Sequence, residues 1–328
     1  MNAPASPLVR TLSDYFRQRY GKRVHKIALD GGFTCPNRDG SKGAGGCAFC
    51  DAQGSRAPYC RPGAGIADQM RAGIDQLGRR TKAGLFIAYF QAFSGTYAPP
   101  EILRARYDAA LCDPRVIGLS IATRSDCLND AALDVVASYL DRLTEVRLEF
   151  GLQTTTPAVL EAMNCHHTPL DFVGAVQRTR RRGVKTVAHV IFGLPGDTPE
   201  GVFECARLIN EEGVEGVKIH NLYLTTDSAL GRAWLKRPHD LMSRDEYIGC
   251  VAEFVARLHP SVVIERVAGD APRQWLLAPH WTIDKQRQWQ IIEEELSRRG
   301  LRQGAKAWLP HATPAGETPS RPSRKAAP

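Results

Sequence analysis

The sequence predicts an α/β protein with a parallel sheet. Apolar, β-branched runs recur along the 328 residues with helical patterns between them. After the second run their starts lie roughly 30 residues apart, which is the size of a βαβ unit. Residues 116–122 and 187–191 are almost entirely apolar, as expected of strands covered on both faces. This alternation predicts crossover helices packed outside a parallel sheet.

The predicted elements follow from these patterns in chain order. Strands are predicted at 24–29, 85–91, 116–122, 145–150, 184–191 and 214–222. Helices are predicted at 66–79, 99–111, 129–140, 170–182, 199–212, 243–258 and 284–299, with Gly300 as the C-cap of the last. The gap between the first two predicted strands is about twice as long as the gaps between the others, and a cysteine cluster fills it.

Composition and charge exclude several classes of protein. Hydrophobic residues make up 43% and charged residues 24%, so wholesale disorder is excluded. The apolar runs are too short to span a bilayer, and the first ten residues have no secretory h-region, so we expect a cytoplasmic protein with no membrane partner. The formal net charge is +8, but residues 302–328 hold five Lys and Arg against one Glu. The remainder is mildly basic, which permits nucleic-acid binding without requiring it.

Four of the nine cysteines lie close together just after the first strand. Cys35, Cys47 and Cys50 have the spacing C-x11-C-x2-C around a glycine-rich loop, and Cys60 follows ten residues later. A cytosolic cluster of this kind favours a metal site over disulfides. Three thiolates would leave one iron of an iron–sulfur cluster open for a ligand, whereas four would close a zinc site or an electron-transfer cluster. Spacing alone leaves both possibilities open.

Ordered motifs beyond the cysteines identify a family. Residues 35–40 and 46–50 resemble the cluster motif of the radical S-adenosylmethionine (SAM) superfamily, and more narrowly the bacterial YhcC-like family, which is related to the radical-SAM domain of the Elongator catalytic subunit. The resemblance covers roughly residues 15–305. Further matching segments are 88–97, 118–124, 148–154, 189–196, 217–220 and 266–272, with Ala278, Pro279 and Lys285.

The resemblance implies a fold, cofactors and a reaction. The fold is a partial (β/α)6 TIM-like barrel, open on one side, with a C-terminal α/β extension. Residues 1–23 form an N-terminal helical lead-in, 24–300 the barrel with its extension, and 301–328 a basic, Pro-rich disordered tail. Cys35, Cys47 and Cys50 hold three irons of a 4Fe-4S cluster, and SAM chelates the fourth. An electron donor such as flavodoxin or ferredoxin reduces the cluster, which cleaves SAM to a 5′-deoxyadenosyl radical that removes a hydrogen atom from the substrate.

The resemblance also implies residues that contact SAM. Phe49 matches an aromatic position near the adenine, although an ordinary core role is an equal alternative. Gln91 to Ser94 match the loop that receives the methionyl end of SAM. Arg124 meets the SAM carboxylate or, alternatively, a phosphate.

Three more positions are implied at the ends of the fourth and fifth strands. Glu149 and Gln153 match positions that bond the SAM ribose or amine, and a carboxylate on a buried strand needs such a partner. Gly193 allows close approach to the adenine, with a plain βα turn as the alternative. His189 and His220 are expected to be hydrogen-bonded core groups or to face the substrate.

The substrate half of the chain departs more from the family pattern, at Ser125, Asp197 and residues 225–228. The Elongator relationship implies modification of the side chain at carbon 5 of a tRNA wobble uridine. Basic clusters at residues 17–23 and 178–185 are consistent with phosphate contacts. A small-metabolite substrate is a second hypothesis, and a non-catalytic zinc- or iron–sulfur-containing RNA-binding protein is a third.

Overall fold

The computed structural model describes residues 7–307 except 55, 58, 62, 270 and 285–286. The sheet strands are β1 (Val24–Leu29), β2 (Leu85–Phe90), β3 (Val116–Thr123), β4 (Glu145–Gln153), β5 (Lys185–Phe192), β6 (Gly216–Asn221) and β8 (Val263–Arg266); a separate pair is β7 (Leu224–Thr225) with β9 (Leu276–Ala278). The helices are α1 (Leu12–Tyr20), α2 (Ile66–Thr81), α3 (Pro100–Ala109), α4 (Asp130–Ala137), α5 (Pro157–Ala162), α6 (Pro169–Arg181), α7 (Pro199–Glu211), α8 (Ala229–Lys236), α9 (Arg244–Arg257) and α10 (Gln288–Arg298).

The main sheet is a curled, parallel half-barrel. Its strand order is β1-β2-β3-β4-β5-β6-β8, and every neighbouring pair is parallel. The helices between the strands cover its outer face, as crossover geometry requires. The prediction of an α/β, TIM-like partial barrel with a C-terminal extension is therefore confirmed. That extension supplies the seventh strand, β8, which the six predicted strands did not include because its four residues carry a weak pattern.

Helix α1 lies across the open side of the half-barrel. Thr11 forms an isolated parallel bridge with Ile264 of β8, and α1 also contacts β1. Phe16 of α1 is 2% exposed, so the helix is anchored by a buried aromatic ring as well as by the bridge. The N-terminal end of the barrel is thus closed by the segment that precedes the first strand.

The C-terminal segment packs further than the predicted tail boundary suggests. Gln303 donates from its side-chain amide to the carbonyls of His259 and Val262, and its carbonyl accepts from the Arg10 amide at 2.8 Å. The rest of the predicted tail, from residue 308, lies outside the described residues, as does Lys285. Within the part of the chain that is described, no helix combines the length and the apolarity needed to cross a membrane.

Candidate active site at the carboxyl ends of the strands

The loop after β1 folds into a compact series of turns that carries three thiols. The amides of Arg38 and Asp39 donate to the Cys35 carbonyl at 2.8 and 3.2 Å, and the Cys50 amide donates to the Cys47 carbonyl at 2.9 Å. The first turn fixes the position of Cys35, and the second fixes the positions of Cys47 and Cys50. Gly46, with φ +81°, joins them in a conformation that a side chain would strain.

Two asparagines fasten this loop to the end of α5. The Asn37 side-chain amide donates to the Asn164 carbonyl, and its nitrogen lies 3.6 Å from Cys47 Sγ. In return, the Asn164 side chain donates to the Gly46 carbonyl at 2.8 Å. At Gly43 an added Cβ would lie 2.3 Å from Asn37 Oδ1, so a larger residue there would have to displace the Asn37 side chain. The cysteine loop is therefore held in place by residues that sequence reasoning did not single out.

The three thiols face one cavity of about 1640 Å³ that runs along the inside of the half-barrel. Burial raises the pKa of the Cys50 thiol to about 12, and its neighbours Cys47 and Cys35 add to that effect. A hydrogen bond with Cys165, followed by burial, raises the pKa of Cys47 well above its ordinary value. Cys47 and Cys50 are therefore protonated without a ligand, and a bound metal must displace those protons.

The Arg124 guanidinium lies beside the Cys47 thiol. Its Nη1 lies 3.9 Å from Cys47 Sγ, while Nε and Nη2 each donate to the Asp126 carboxylate at 2.9 Å. Lys42 Nζ reaches the same carboxylate at 2.6 Å. The bidentate pair fixes the guanidinium plane with one edge toward the sulfurs.

Cys60 is turned away from the three cavity-facing thiols. Its Sγ donates to the Ala28 carbonyl at 3.3 Å, it is 2% exposed, and it is not among the described residues that line the cavity. Among the described residues, no three His, Cys, Asp or Glu side chains converge on a point where one metal ion would sit. The geometry therefore does not support the closed zinc site of four cysteines.

Two cysteines that the sequence analysis did not connect with the cluster motif lie behind it. Cys165 is fully buried beside Cys47, and Cys127 lies near Cys35 and the Ser94 hydroxyl. Burial raises the pKa of Cys127 to about 12. Neither residue lines the cavity in the described part of the chain. Both pack as small, buried side chains behind the loop.

Some of the predicted SAM-contacting residues line the cavity, and one of them, Gly193, does not. Phe49, Gln91, Ser94 and Gln153 line the cavity with the three cysteines. Phe49 also packs against the apolar cluster formed by α5 and the ends of β5 and β6, so both roles suggested for it are geometrically satisfied. Gly193 has φ +85°, and an added Cβ there would meet the Met242 side chain at 3.2 Å. It lies outside the cavity lining, in a βα turn, and its adenine contact stays a prediction.

Glu149 lies on the inner face of the sheet and is 1% exposed. Its carboxylate accepts from Lys26 Nζ at 2.7 Å, has His189 Nε2 at 2.8 Å, and also accepts from Lys218 and Ser120. Burial alone would raise the pKa of Glu149, but Lys218 and Lys26 outweigh it and hold that pKa well below its ordinary value. The predicted ribose contact would have to share oxygens that already accept these hydrogen bonds.

Between Glu149 and α1, the inner face of the sheet carries further charged side chains. Glu265 of β8 accepts from Lys26 and from Arg147 Nη1 at 2.5 and 2.6 Å. Glu145, which is 0% exposed, binds the Arg147 guanidinium at 3.0 Å and Lys185 Nζ at 3.0 Å. The half-barrel interior is thus an ion-pair network rather than an apolar core.

The sequence carried a local signal for this network. Glu145, Arg147 and Glu149 recur at every second position of β4, and Lys218 and His220 do so on β6. A period of two places all of them on one face of the sheet. The partners themselves could not be identified, because Lys26 and Glu149 are 123 residues apart.

Comparisons with known proteins agree with this architecture. The radical SAM superfamily profile matches residues 36–209, and the radical SAM C-terminal domain matches residues 214–298. Protein YhcC of Escherichia coli strain K12 is 35% identical over 308 residues, which cover 92% of this chain and 97% of YhcC. The tRNA uridine(34) acetyltransferase of Dehalococcoides mccartyi is 25% identical over 167 residues, 50% of this chain and 36% of that protein.

A solved structure shows the same fold. Methanocaldococcus infernus Elp3 with an N-terminal deletion matches with a TM-score of 0.65 and 17% identity, over 85% of this chain and 64% of that chain. This family membership implies a 4Fe-4S cluster and SAM as cofactors. From the profile match, the YhcC relative and the parallel half-barrel with its cysteine loop, we conclude that the chain is an enzyme of the radical SAM superfamily and belongs with the YhcC-like proteins.

Proposed function

We propose that Cys35, Cys47 and Cys50 bind a 4Fe-4S cluster whose fourth iron takes SAM, and that the enzyme modifies the side chain of a tRNA wobble uridine. The observation that carries the cofactor assignment is that these three thiols line one large cavity while Cys60 bonds to a backbone carbonyl outside it. When bound, the cluster supplies the electron that cleaves the sulfonium of SAM.

The donor set fits a cluster better than a single ion. Thiolates are the usual protein ligands of iron–sulfur clusters, which distribute them over separate irons. Three thiols that line one cavity can supply one ligand to each of three irons. Hydrogen bonds to cluster sulfurs tune such centres, and the Asn37 amide and Arg124 guanidinium both lie beside Cys47 Sγ.

Residues of the chain around the thiols have complementary roles toward SAM. Arg124, fixed by Asp126, offers a cation for the SAM carboxylate. Gln91, Ser94 and Gln153 offer polar groups along the same wall of the cavity, and Phe49 offers an apolar face to the adenine. Enclosure by these residues limits access of water to the radical chemistry.

The charge of the cavity supports a nucleic-acid substrate. Of the described residues that line it, eleven are Lys or Arg and four are Asp or Glu. Arg17, Lys22 and Arg23, from the first predicted basic cluster, are among them, as is Arg80 on α2. Cations grouped in this way neutralise phosphates. The Dehalococcoides mccartyi relative is a tRNA uridine(34) acetyltransferase, and this motivates the choice of tRNA.

The second predicted basic cluster is engaged elsewhere. Arg182 pairs with Asp134 at 2.7 Å, Arg180 donates to the Glu212 carbonyl at 2.8 Å, and Lys185 points into the barrel. We therefore assign RNA contact to the α1 side of the cavity only.

The first experiment tests the cofactor assignment. The wild type, reconstituted anaerobically with iron and sulfide, should hold about four irons and four sulfides and convert SAM to 5′-deoxyadenosine under a strong reductant. Cys47→Ala should lose iron and SAM cleavage, whereas Cys112→Ala, which removes an exposed cysteine, should keep both. Stoichiometric zinc without SAM cleavage in the wild type would overturn the proposal in favour of a non-catalytic zinc protein.

The second experiment tests the substrate. Nucleosides from tRNA of a deletion strain should lack one wobble-uridine modification, which wild-type expression restores and Cys47→Ala does not. An unchanged nucleoside profile, with SAM cleavage intact in vitro, would reject tRNA and favour a small metabolite.

A further inference from the structure

His220 lies on the inner face of the half-barrel, one residue before the carboxyl end of β6. It lines the cavity, and its ring centroid lies 5.3 Å from that of His189 on the neighbouring strand β5. Burial holds the pKa of His220 well below its ordinary value, and the proximity of His189 adds to that effect. The His220 imidazole is therefore neutral at pH 7, so its ring nitrogens offer hydrogen bonds but no charge.

The Nε2 atom of His220 is buried and has no hydrogen-bond partner among the described residues. The same atom of His189, by contrast, lies 2.8 Å from the Glu149 carboxylate. A buried polar atom without a partner carries the full cost of its removal from water. Because this atom lies at the wall of a cavity, a bound ligand can supply the partner that the fold does not.

On the side toward the cysteine loop, the surface beside His220 is apolar. Ile191 is the β5 residue in register with His220, and Leu222 comes two residues after it. Both line the cavity and belong to the apolar cluster against which Phe49 packs. A wall with apolar side chains and one unpaired polar atom suits a flat ligand with apolar faces and a hydrogen-bonding edge. A nucleobase that has left its stack has this character.

Its place within the strand separates His220 from the predicted SAM position. Phe49 and Gly193, which are predicted to lie near the adenine, belong to the cysteine loop and to the turn after β5, beyond the ends of the strands. His220 lies within β6 and shares the inner face of the sheet with Lys218 and His189. A side chain on that face points into the half-barrel, where a substrate beside SAM would lie.

We propose that Nε2 of His220 forms a hydrogen bond with the base of the substrate nucleotide. This inference rests on the proposed function, because it takes the wobble uridine as the substrate. It adds that the base leaves the anticodon stack and enters the cavity, where a neutral imidazole contacts its polar edge.

The test is a double-mutant cycle between His220 and the base. Affinity of the reconstituted enzyme, with SAM and without reductant, is measured for two anticodon stem–loop RNAs, one with uridine and one with an abasic site at the wobble position. The wild type should bind the uridine loop at least tenfold more tightly. His220→Phe should weaken binding of the uridine loop about five- to tenfold, the effect of one hydrogen bond, and should leave the abasic loop within about twofold.

Three further measurements are controls. His220→Gln, whose side-chain amide can replace Nε2, should bind the uridine loop within about threefold of the wild type. His239→Phe changes an exposed histidine outside the cavity lining and should bind both loops as the wild type does. Without RNA, His220→Phe should unfold at the same or a higher urea concentration, because it removes a buried nitrogen that has no partner.

Several results would overturn the inference and leave tRNA as the substrate. They are equal affinity of the wild type for the two loops, and a His220→Phe variant that binds both as the wild type does or loses affinity for both equally. A lower urea midpoint for this variant would identify a structural role, and a weaker affinity for SAM would assign Nε2 to the adenine; either would also overturn it. Failure of the wild type to bind either loop would overturn the proposed substrate as well, so the two failures are distinguishable.

Discussion

Replacing Glu145 by glutamine tests whether the ion-pair network at the closed end of the half-barrel stabilises the fold. Tyr15 and Tyr20 of α1 donate to its carboxylate at 2.8 and 2.9 Å, in addition to the Arg147 and Lys185 contacts. One carboxylate thus joins α1, β4 and β5. Glutamine keeps the shape of the side chain but removes its charge.

The magnitude follows from the pKa of Glu145. Burial opposes ionisation, but Arg147 and Lys185 outweigh it and lower the pKa from 4.5 to about 2. At about 1.36 kcal/mol per pH unit, this difference corresponds to about 3.4 kcal/mol of stability at pH 7. Because the pKa is lowered on folding, the contribution is fully present above pH 4.5 and is lost as the pH falls through about 2. At pH 3 roughly 1.4 kcal/mol remains by the same linkage.

Urea unfolding of the wild type and Glu145→Gln at pH 7 and pH 3 measures this contribution. The deficit of the variant should be about 3 kcal/mol at pH 7 and less than half of that at pH 3. Glu204→Gln is the matched control: its carboxylate is 52% exposed beside Arg207, so it should lose less than about 1 kcal/mol. Equal losses for the two variants at pH 7, or a Glu145→Gln deficit that is the same at both pH values, would refute the reasoning.

Four other substitutions have defined outcomes. Gly118→Ala should lower the unfolding free energy by about 1–3 kcal/mol, because its Cβ would lie 2.6 Å from a backbone carbonyl oxygen of β4. Gly174→Ala in α6 has open space around it and should raise the unfolding free energy by about 0.5–1 kcal/mol. Thermal melts that show equal effects for the two variants would contradict this contrast. Ser243→Ala removes the capping box of α9 and should cost about 1 kcal/mol in urea unfolding, and no loss would mean that the cap is redundant. Cys60→Ser should keep the wild-type iron content after reconstitution, because Cys60 bonds to the Ala28 carbonyl; loss of iron would identify it as a ligand.

Local patterns in the sequence determined the strands and the cysteine loop. The first strand was predicted with the bounds that the structure gives it, Val24–Leu29, and the other five predicted strands differ by one to three residues at their ends. Hydrophobic periods of two and 3.6 residues are properties of consecutive residues, so they can be recognised in the sequence without knowledge of the tertiary structure. The cluster motif is equally local, because Cys35, Cys47 and Cys50 lie within sixteen residues.

The tertiary structure decided what the interior of the half-barrel is made of. Cys60 is close to the other three cysteines in sequence, yet it faces the Ala28 carbonyl, and only the folded loop shows this. Lys185 belonged to a predicted RNA-binding cluster, but it lies inside the barrel against Glu145. Two of the ion pairs that line the cavity, Lys26–Glu149 and Lys26–Glu265, join residues more than a hundred positions apart. No pattern of neighbouring residues encodes which distant strand will lie beside them in the curled sheet.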